Sequence, residues 1–168
     1  SKLLKVDVDD VQEHIRRGGL GSIKAKAFLD IAAKLKHDFG RVTLGPLKKM
    51  PTDQAEHYLM SLPGVGIKTA RCVLMYSLQR DTIPVDTHTY RVGVRVGLIP
   101  TSRNPDEAHE AFDASVPAGL AYALHTNFVA LGRDICQELK PKCVECPLRE
   151  ICRHHRAQPL APAGVRAG

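Results

Sequence analysis

Two glycines placed two residues apart between apolar segments constrain this chain most. They lie in residues 62–70, which read LPGVGIKTA. Glycine adopts a positive φ at low cost and lets another backbone come close, so the pattern predicts a tight turn between two helices. The backbone of Gly64, Val65 and Gly66 would then present amides beside a helix N-terminus, an arrangement that binds a phosphate. The Gly-x-Gly pair alone is also typical of an ordinary helix–helix connection.

Lys68 stands in the first turn of the helix that follows this turn. A cation is unfavourable there, because the N-terminal end of the helix dipole is positive. Two interpretations stay open, a solvated surface lysine and an amine nucleophile. An amine attacks carbon only when it is unprotonated, and both partial burial and a helix N-terminus favour that form. The sequence supplies at least the helix N-terminus.

Asp86 lies in residues 84–92, which read PVDTHTYRV. It is predicted to begin a helix that ends near Gly97. It is either a plain N-cap or a carboxylate that faces the lysine, where it would act as a base or stabilise a developing cation. We interpret His88 in the same segment as structural.

Four of the five cysteines are clustered with the spacing C-x6-C-x2-C-x5-C, at Cys136, Cys143, Cys146 and Cys152. Such a group can close one metal site, either zinc or an iron–sulfur cluster, and the spacing does not decide between them. Without a secretory signal, the clustering indicates a reducing compartment rather than a disulfide framework. The loop between the first two cysteines carries Lys140 and Lys142, which are either phosphate ligands or solvated side chains.

The helical period of 3.6 residues recurs along the chain without sustained strand-like alternation, which predicts an all-α fold. One of the predicted helices runs from about Ala118 to Leu131. We predict one domain at 1–82 with the glycine turn inside 52–79, a second at 83–156 with the cysteines, and a flexible tail at 157–168. The net charge of +6 favours a polyanionic partner. No apolar run of about 18 residues predicts a membrane span, so we expect no membrane contact.

Together, the LPGVGIKTA segment, the PVDTHTYRV segment and the cysteine spacing resemble the endonuclease III family of DNA glycosylases, in the helix–hairpin–helix superfamily. The resemblance runs from about residue 8 to residue 155. It implies two helical domains with a DNA-binding cleft between them, a helix–hairpin–helix motif and a C-terminal iron–sulfur cluster loop. Family members carry a further helical segment before the point where this sequence begins, so we expect that N-terminal part of the family fold to be missing.

By this resemblance, Lys68 falls on the catalytic lysine of the family and Asp86 on its catalytic aspartate. The four cysteines fall on the ligands of a structural 4Fe–4S cluster. Leu20 falls in a loop that wedges into the duplex, with a buried loop leucine as the alternative.

The resemblance implies a monomeric, bifunctional glycosylase/AP lyase of base excision repair. It would remove oxidised pyrimidines from double-stranded DNA through a lysine Schiff base, cleave the strand by β-elimination and also act on abasic sites. We expect it inside the cell, in the cytoplasm and nucleoid of a bacterium or the nucleus or mitochondrion of a eukaryote. The alternatives are a non-catalytic DNA-binding module, an electron-transfer protein and a monofunctional mismatch glycosylase, although the last class lacks a lysine at this hairpin position.

Overall fold

A computed structural model describes residues 6–16 and 22–157, and within these ranges the chain forms helices and no β-strand. The prediction of an all-α fold is therefore confirmed. The α-helices of the described ranges are α1 (Val8–Arg16), α2 (Ser22–Phe39), α3 (Thr52–Met60), α4 (Ile67–Cys72), α5 (Thr87–Val96), α6 (Pro105–Ser115), α7 (Ala121–Asp134) and α8 (Arg153–Arg156). A wider π turn, Val73–Ser77, continues α4, and short 3-10 turns occupy Gly45–Lys49 and Cys143–Glu145. Among the described residues, no helix has the length and apolar character needed to span a membrane.

The chain divides into two compact units, Ser1–Arg80 and Asp81–Gly168. The first unit contains α1 to α4 and the second contains α5 to α8. Each unit has a hydrophobic core of its own.

The core of the first unit lies around the two helices that flank the glycine turn. Leu59 of α3 and Leu74 of the π turn are buried there, and Tyr58 and Val73 pack against them. Burying a leucine side chain contributes about 1.5–3 kcal/mol, so this packing holds α3 against α4. The remaining buried members of the cluster are Leu47, Ala55, Leu62 and Ala70.

The core of the second unit is centred on Phe112 of α6, which is fully buried. Its ring meets that of Phe128 in an edge-on arrangement, with 6.4 Å between centroids. A Cβ at Gly93 of α5 would stand 2.5 Å from Cζ of Phe112, so only glycine allows α5 and α6 to approach this closely. The core therefore fixes α5, the helix that Asp86 caps, against α6.

Helix α7 begins at Ala121, three residues later than the sequence indicated. Gly119 adopts φ +85, which ends the preceding turn before the helix starts. The carboxylate of Asp81 accepts hydrogen bonds from the amides of Gly119 at 2.5 Å and Ala121 at 3.3 Å. The start of α7 is therefore set by an aspartate about forty positions earlier in the chain, which a local pattern does not reveal.

Candidate functional site

The glycine turn joins α3 to α4 as a tight hairpin. The amide of Val65 donates to the carbonyl of Leu62 at 3.1 Å, and Gly64 adopts φ +71. Gly66 then caps α4 with extended backbone angles, and its carbonyl accepts from Ala70 at 2.9 Å. The predicted turn between two helices is thus present, with Gly64 at the position that requires a positive φ.

The outer face of the hairpin is open. Gly64 and Gly66 are exposed, and a Cβ placed on Gly66 would meet nothing within 4 Å. Val65 turns inward and packs against the core of the first unit. Among the described residues, no side chain caps the amides at Gly66. An open backbone at a helix N-terminus can accept an anion, so the phosphate contact of Gly64, Val65 and Gly66 stays a prediction that this geometry permits.

Lys68 is the second residue of α4, and its side chain is exposed. Its place at the helix start agrees with the sequence interpretation, whereas the partial burial considered there is not observed. On the same helix, Nε of Arg71 pairs with Oε2 of Glu56 on α3 at 2.9 Å, and Arg71 is only 8% exposed. This partly buried ion pair, together with the core, holds the helix that carries Lys68.

Asp86 caps α5 in the second unit, and its Oδ1 accepts a hydrogen bond from the amide of Thr89 at 2.7 Å. Burial alone would raise the pKa of Asp86, but hydrogen bonds from the backbone and side chain of Thr89, with the electrostatic influence of His125 and His88, lower it below its ordinary value. Asp86 is therefore a half-buried carboxylate that is ionised at neutral pH.

The threonine that donates to Asp86 is itself part of a buried polar pair. Thr89 is fully buried, and its Oγ1 lies 3.2 Å from Nδ1 of His125 on α7, which is 3% exposed. Sequence reasoning missed both residues. The position of Thr89, three after an N-cap, is a local signal that could have indicated it, whereas nothing near His125 in the sequence points to Asp86.

A pocket of about 240 Å³ opens beside Asp86 within the second unit. Tyr90 of α5 closes one side, because its hydroxyl donates to the carbonyl of Ser102 at 2.5 Å and accepts from the Ser102 amide at 2.8 Å. The other residues that line the pocket are Val85, Thr87, Arg103, Asn104, Pro105, Ala108 and His109. A cavity that contains an ionised, partly buried carboxylate has the character expected of a reaction site.

The four clustered cysteines line one small cavity of about 20 Å³ in the second unit. Arg95 of α5 contacts two of them. Its Nη1 donates to Sγ of Cys136 at 3.4 Å, and its carbonyl accepts from Sγ of Cys152 at 3.2 Å. The structure thus brings together all four of the predicted metal-ligating residues.

The four cysteines around this cavity are close enough together to affect the pKa of Cys143. Burial raises the pKa of the Cys143 thiol, and the neighbouring charges of Cys136, Cys152 and Cys146 raise it further, while Arg95 lowers it. The raised pKa favours the neutral thiol of Cys143, and a metal group would bind these cysteines as thiolates with release of their protons. Within residues 6–16 and 22–157, however, no three His, Cys, Asp or Glu side chains are arranged to hold a metal ion.

The basic loop beside the cysteines is tied down at several points. Arg95 donates to the carbonyls of Gln137 at 2.7 Å and Glu138 at 2.8 Å, and the amide of Lys142 donates to the carbonyl of Ile135 at 2.9 Å. Lys140 and Lys142 are both exposed. Their contact with phosphates stays a prediction. Leu20, the predicted wedge, lies outside the described residues.

Comparison with known proteins identifies the family. The family described as HhH-GPD superfamily base excision DNA repair protein matches residues 1–118. Endonuclease III of Thermotoga maritima is 32% identical over 155 residues, covering 92% of this chain and 68% of that protein. DNA glycosylase/AP lyase ROS1 of Arabidopsis thaliana is 29% identical over 165 residues, covering 88% of this chain. This chain spans only 12% of the length of that plant protein.

The fold matches a solved structure of the same group. A trapped covalent intermediate of endonuclease III and DNA superposes with a TM-score of 0.76 and 28% identity, covering 92% of this chain and 68% of that one. The match to residues 1–118 includes the glycine hairpin, Lys68 and Asp86. The chain therefore belongs to the HhH-GPD superfamily of base excision DNA repair proteins, with an endonuclease III-like fold.

Proposed function

We propose that this chain carries the catalytic machinery of a bifunctional DNA glycosylase/AP lyase that removes oxidised pyrimidines from double-stranded DNA. The observation that carries the proposal is Lys68, in the first turn of α4 directly after the open glycine hairpin. The similarity to a DNA glycosylase/AP lyase supports it. The covalent DNA intermediate of the solved relative also supports it, because a covalent intermediate requires a nucleophile on the protein.

The first step in this proposal is recognition of the DNA backbone. The open amides of the hairpin would hold a phosphate, which positions the duplex without reading its sequence. The damaged nucleotide is then extruded from the stack, at a cost of roughly a few kcal/mol that is smallest for damaged bases. The exposed Lys140 and Lys142 would supply further phosphate contacts.

The chemical step joins Lys68 to the sugar. Its neutral amine forms a bond to C1′ while the bond between C1′ and the base breaks, and the base leaves with that electron pair and takes up a proton. The Asp86 carboxylate accepts the proton that the amine releases, or stabilises the positive charge on the sugar. Ring opening gives a Schiff base, loss of a C2′ proton expels the 3′ phosphate, and water then releases the lysine. On an abasic site the same sequence starts at the aldehyde.

We propose that the four cysteines hold a 4Fe–4S cluster in a structural role. All four line one cavity of the second unit. The resemblance of the cysteine spacing to that of the endonuclease III family favours the cluster over a zinc ion. Cys136, Cys143, Cys146 and Cys152 would hold such a cluster, which would tie the loop between Cys136 and Cys143 to the segment that ends at Cys152.

Borohydride trapping of the full-length protein on an abasic duplex tests the proposal. The wild-type protein should become covalently linked to the DNA, and Lys68→Ala should abolish the product. Lys36→Ala, at an exposed lysine of α2, serves as the matched control and should trap like wild type. Equal trapping by Lys68→Ala would contradict the assignment.

The same assay separates the alternatives. DNA binding without strand cleavage or trapping would identify a non-catalytic module. Base release without trapping would identify a monofunctional glycosylase. A panel of duplexes with oxidised pyrimidines, mismatches and undamaged bases then tests the substrate class, and oxidised pyrimidines should be released fastest.

A further inference from the structure

We infer that His109 of α6 is a positioning residue for the Asp86 carboxylate. The inference rests on the proposed function, in which Asp86 acts at the reacting sugar. His109 is 1% exposed and lines the same pocket as Asp86. A buried histidine is often only a packed core residue, so its hydrogen bonds have to distinguish the two roles.

The two ring nitrogens of His109 have different partners. Nδ1 lies 2.7 Å from the carbonyl oxygen of Pro105, which can only accept, so Nδ1 carries the hydrogen. Nε2 lies 3.0 Å from the amide nitrogen of Val85, which donates to it. A neutral ring meets both demands in one tautomer, whereas a protonated ring would direct a second N–H at the Val85 amide.

The hydrogen bond to Val85 acts on the residue immediately before Asp86. It holds the extended chain that leads into α5, where Asp86 has φ −95 and ψ 178. In this conformation Oδ1 of Asp86 reaches the amide of Thr89 at 2.7 Å. The backbone at Asp86 is therefore held from α6 by His109, while its side chain is held from α5 by Thr89.

The apolar packing of α6 is carried by Phe112. Phe112, one turn further along, fills the core of the second unit and contacts Phe128 of α7. His109 contributes the directional contact to Val85 instead. Loss of the His109 side chain should therefore weaken the positioning of Asp86 more than the packing of α6.

A double-mutant cycle tests the inference in the full-length protein, with the rate of borohydride trapping under single-turnover conditions as the readout. His109→Leu should slow trapping about tenfold or more in the wild-type background. It should have no further effect in the Asp86→Asn background, because coupled residues give non-additive changes. His109→Gln should recover most of the rate, since its amide oxygen can accept from Val85.

Phe112→Leu is the matched control on the same helix. It should lower the thermal midpoint at least as much as His109→Leu, while the trapping rate well below that midpoint stays near wild type. Equal slowing by His109→Leu in both backgrounds, or failure of His109→Gln to restore the rate, would assign His109 a merely structural role and overturn the inference.

An NMR titration of the Asp86 carboxyl separates failure of the inference from failure of the proposed function. His109→Leu should move the pKa of Asp86 back toward its ordinary value, because the bond from Thr89 is loosened. An unchanged titration overturns the inference even if the protein has no lyase activity. If the wild-type protein fails to become trapped on the DNA, that result contradicts the proposed function and does not bear on the position of Asp86.

Discussion

The amide of Thr89 lies 2.7 Å from Oδ1 of Asp86, so one carboxylate both begins α5 and faces the pocket of the second unit. A helix cap needs an acceptor and no charge, whereas proton transfer or stabilisation of a cation needs the carboxylate. The two roles of Asp86 can therefore be separated by substitution.

Asp86→Asn should keep the cap and lose the chemistry. We expect its unfolding free energy to stay within about 0.5 kcal/mol of wild type, and Asp86→Ala to lose about 1 kcal/mol, the usual cost of a missing cap. Both variants should slow borohydride trapping at least tenfold. Asp7→Ala removes the comparable cap of α1, where Oδ1 accepts from Asp9 at 2.9 Å, and should trap normally. Urea unfolding and trapping rates check the set, and normal trapping by Asp86→Asn would contradict the catalytic role.

Acid should destabilise the second unit through Asp86. Its pKa is lowered in the folded state, so ionised Asp86 contributes stability above the unfolded pKa of about 3.9, and this is lost as pH falls through the folded pKa. The unfolding free energy of wild type should therefore fall more steeply below about pH 4 than that of Asp86→Asn. Urea unfolding from neutral to acidic pH measures both curves, and parallel curves would show that Asp86 is not linked to folding.

Alanine substitution should have opposite effects on stability at the two hairpin glycines. A Cβ at Gly66 has open space and a φ of −95, so Gly66→Ala should leave stability unchanged or raise it by about 0.4–1 kcal/mol. Because the methyl group would stand where a phosphate approaches, its DNA affinity should fall. Gly64→Ala must adopt φ +71 and should lose about 1–2 kcal/mol of stability. Thermal unfolding and DNA titrations test the pair, and wild-type affinity of Gly66→Ala would exclude the hairpin contact.

Arg95 should strengthen metal retention at the cysteine site. It donates to Sγ of Cys136 and to the carbonyls of Gln137 and Glu138. Arg95→Ala should therefore lower the iron content of the purified protein severalfold and weaken its visible absorption. Arg133→Ala, at an exposed arginine of α7, should keep both at the wild-type level. Metal analysis that finds zinc in the wild-type protein would contradict the cluster.

Several elements could be predicted because their signals are local. Asp86 at the start of α5 and Gly97 with φ +87 at its end are single-residue signals that act within one helical turn. The hairpin also follows from its own residues, because Gly64 supplies the positive φ that the turn requires. The start of α7 was predicted three residues early, because the Asp81 carboxylate that determines it comes from a distant part of the chain.

The sequence by itself determined the helical fold, the hairpin that precedes Lys68 and the four thiols available for a metal, since these depend on backbone preferences and residue chemistry. Only the tertiary structure decided that Lys68 is exposed, that the four cysteines line one cavity and that Thr89 and His125 meet behind Asp86. It likewise decided that Val85 donates to His109, 24 positions away. The physical reason is that burial and hydrogen bonds between distant residues depend on how helices pack, and side-chain directions across such contacts leave no periodic signal in the chain.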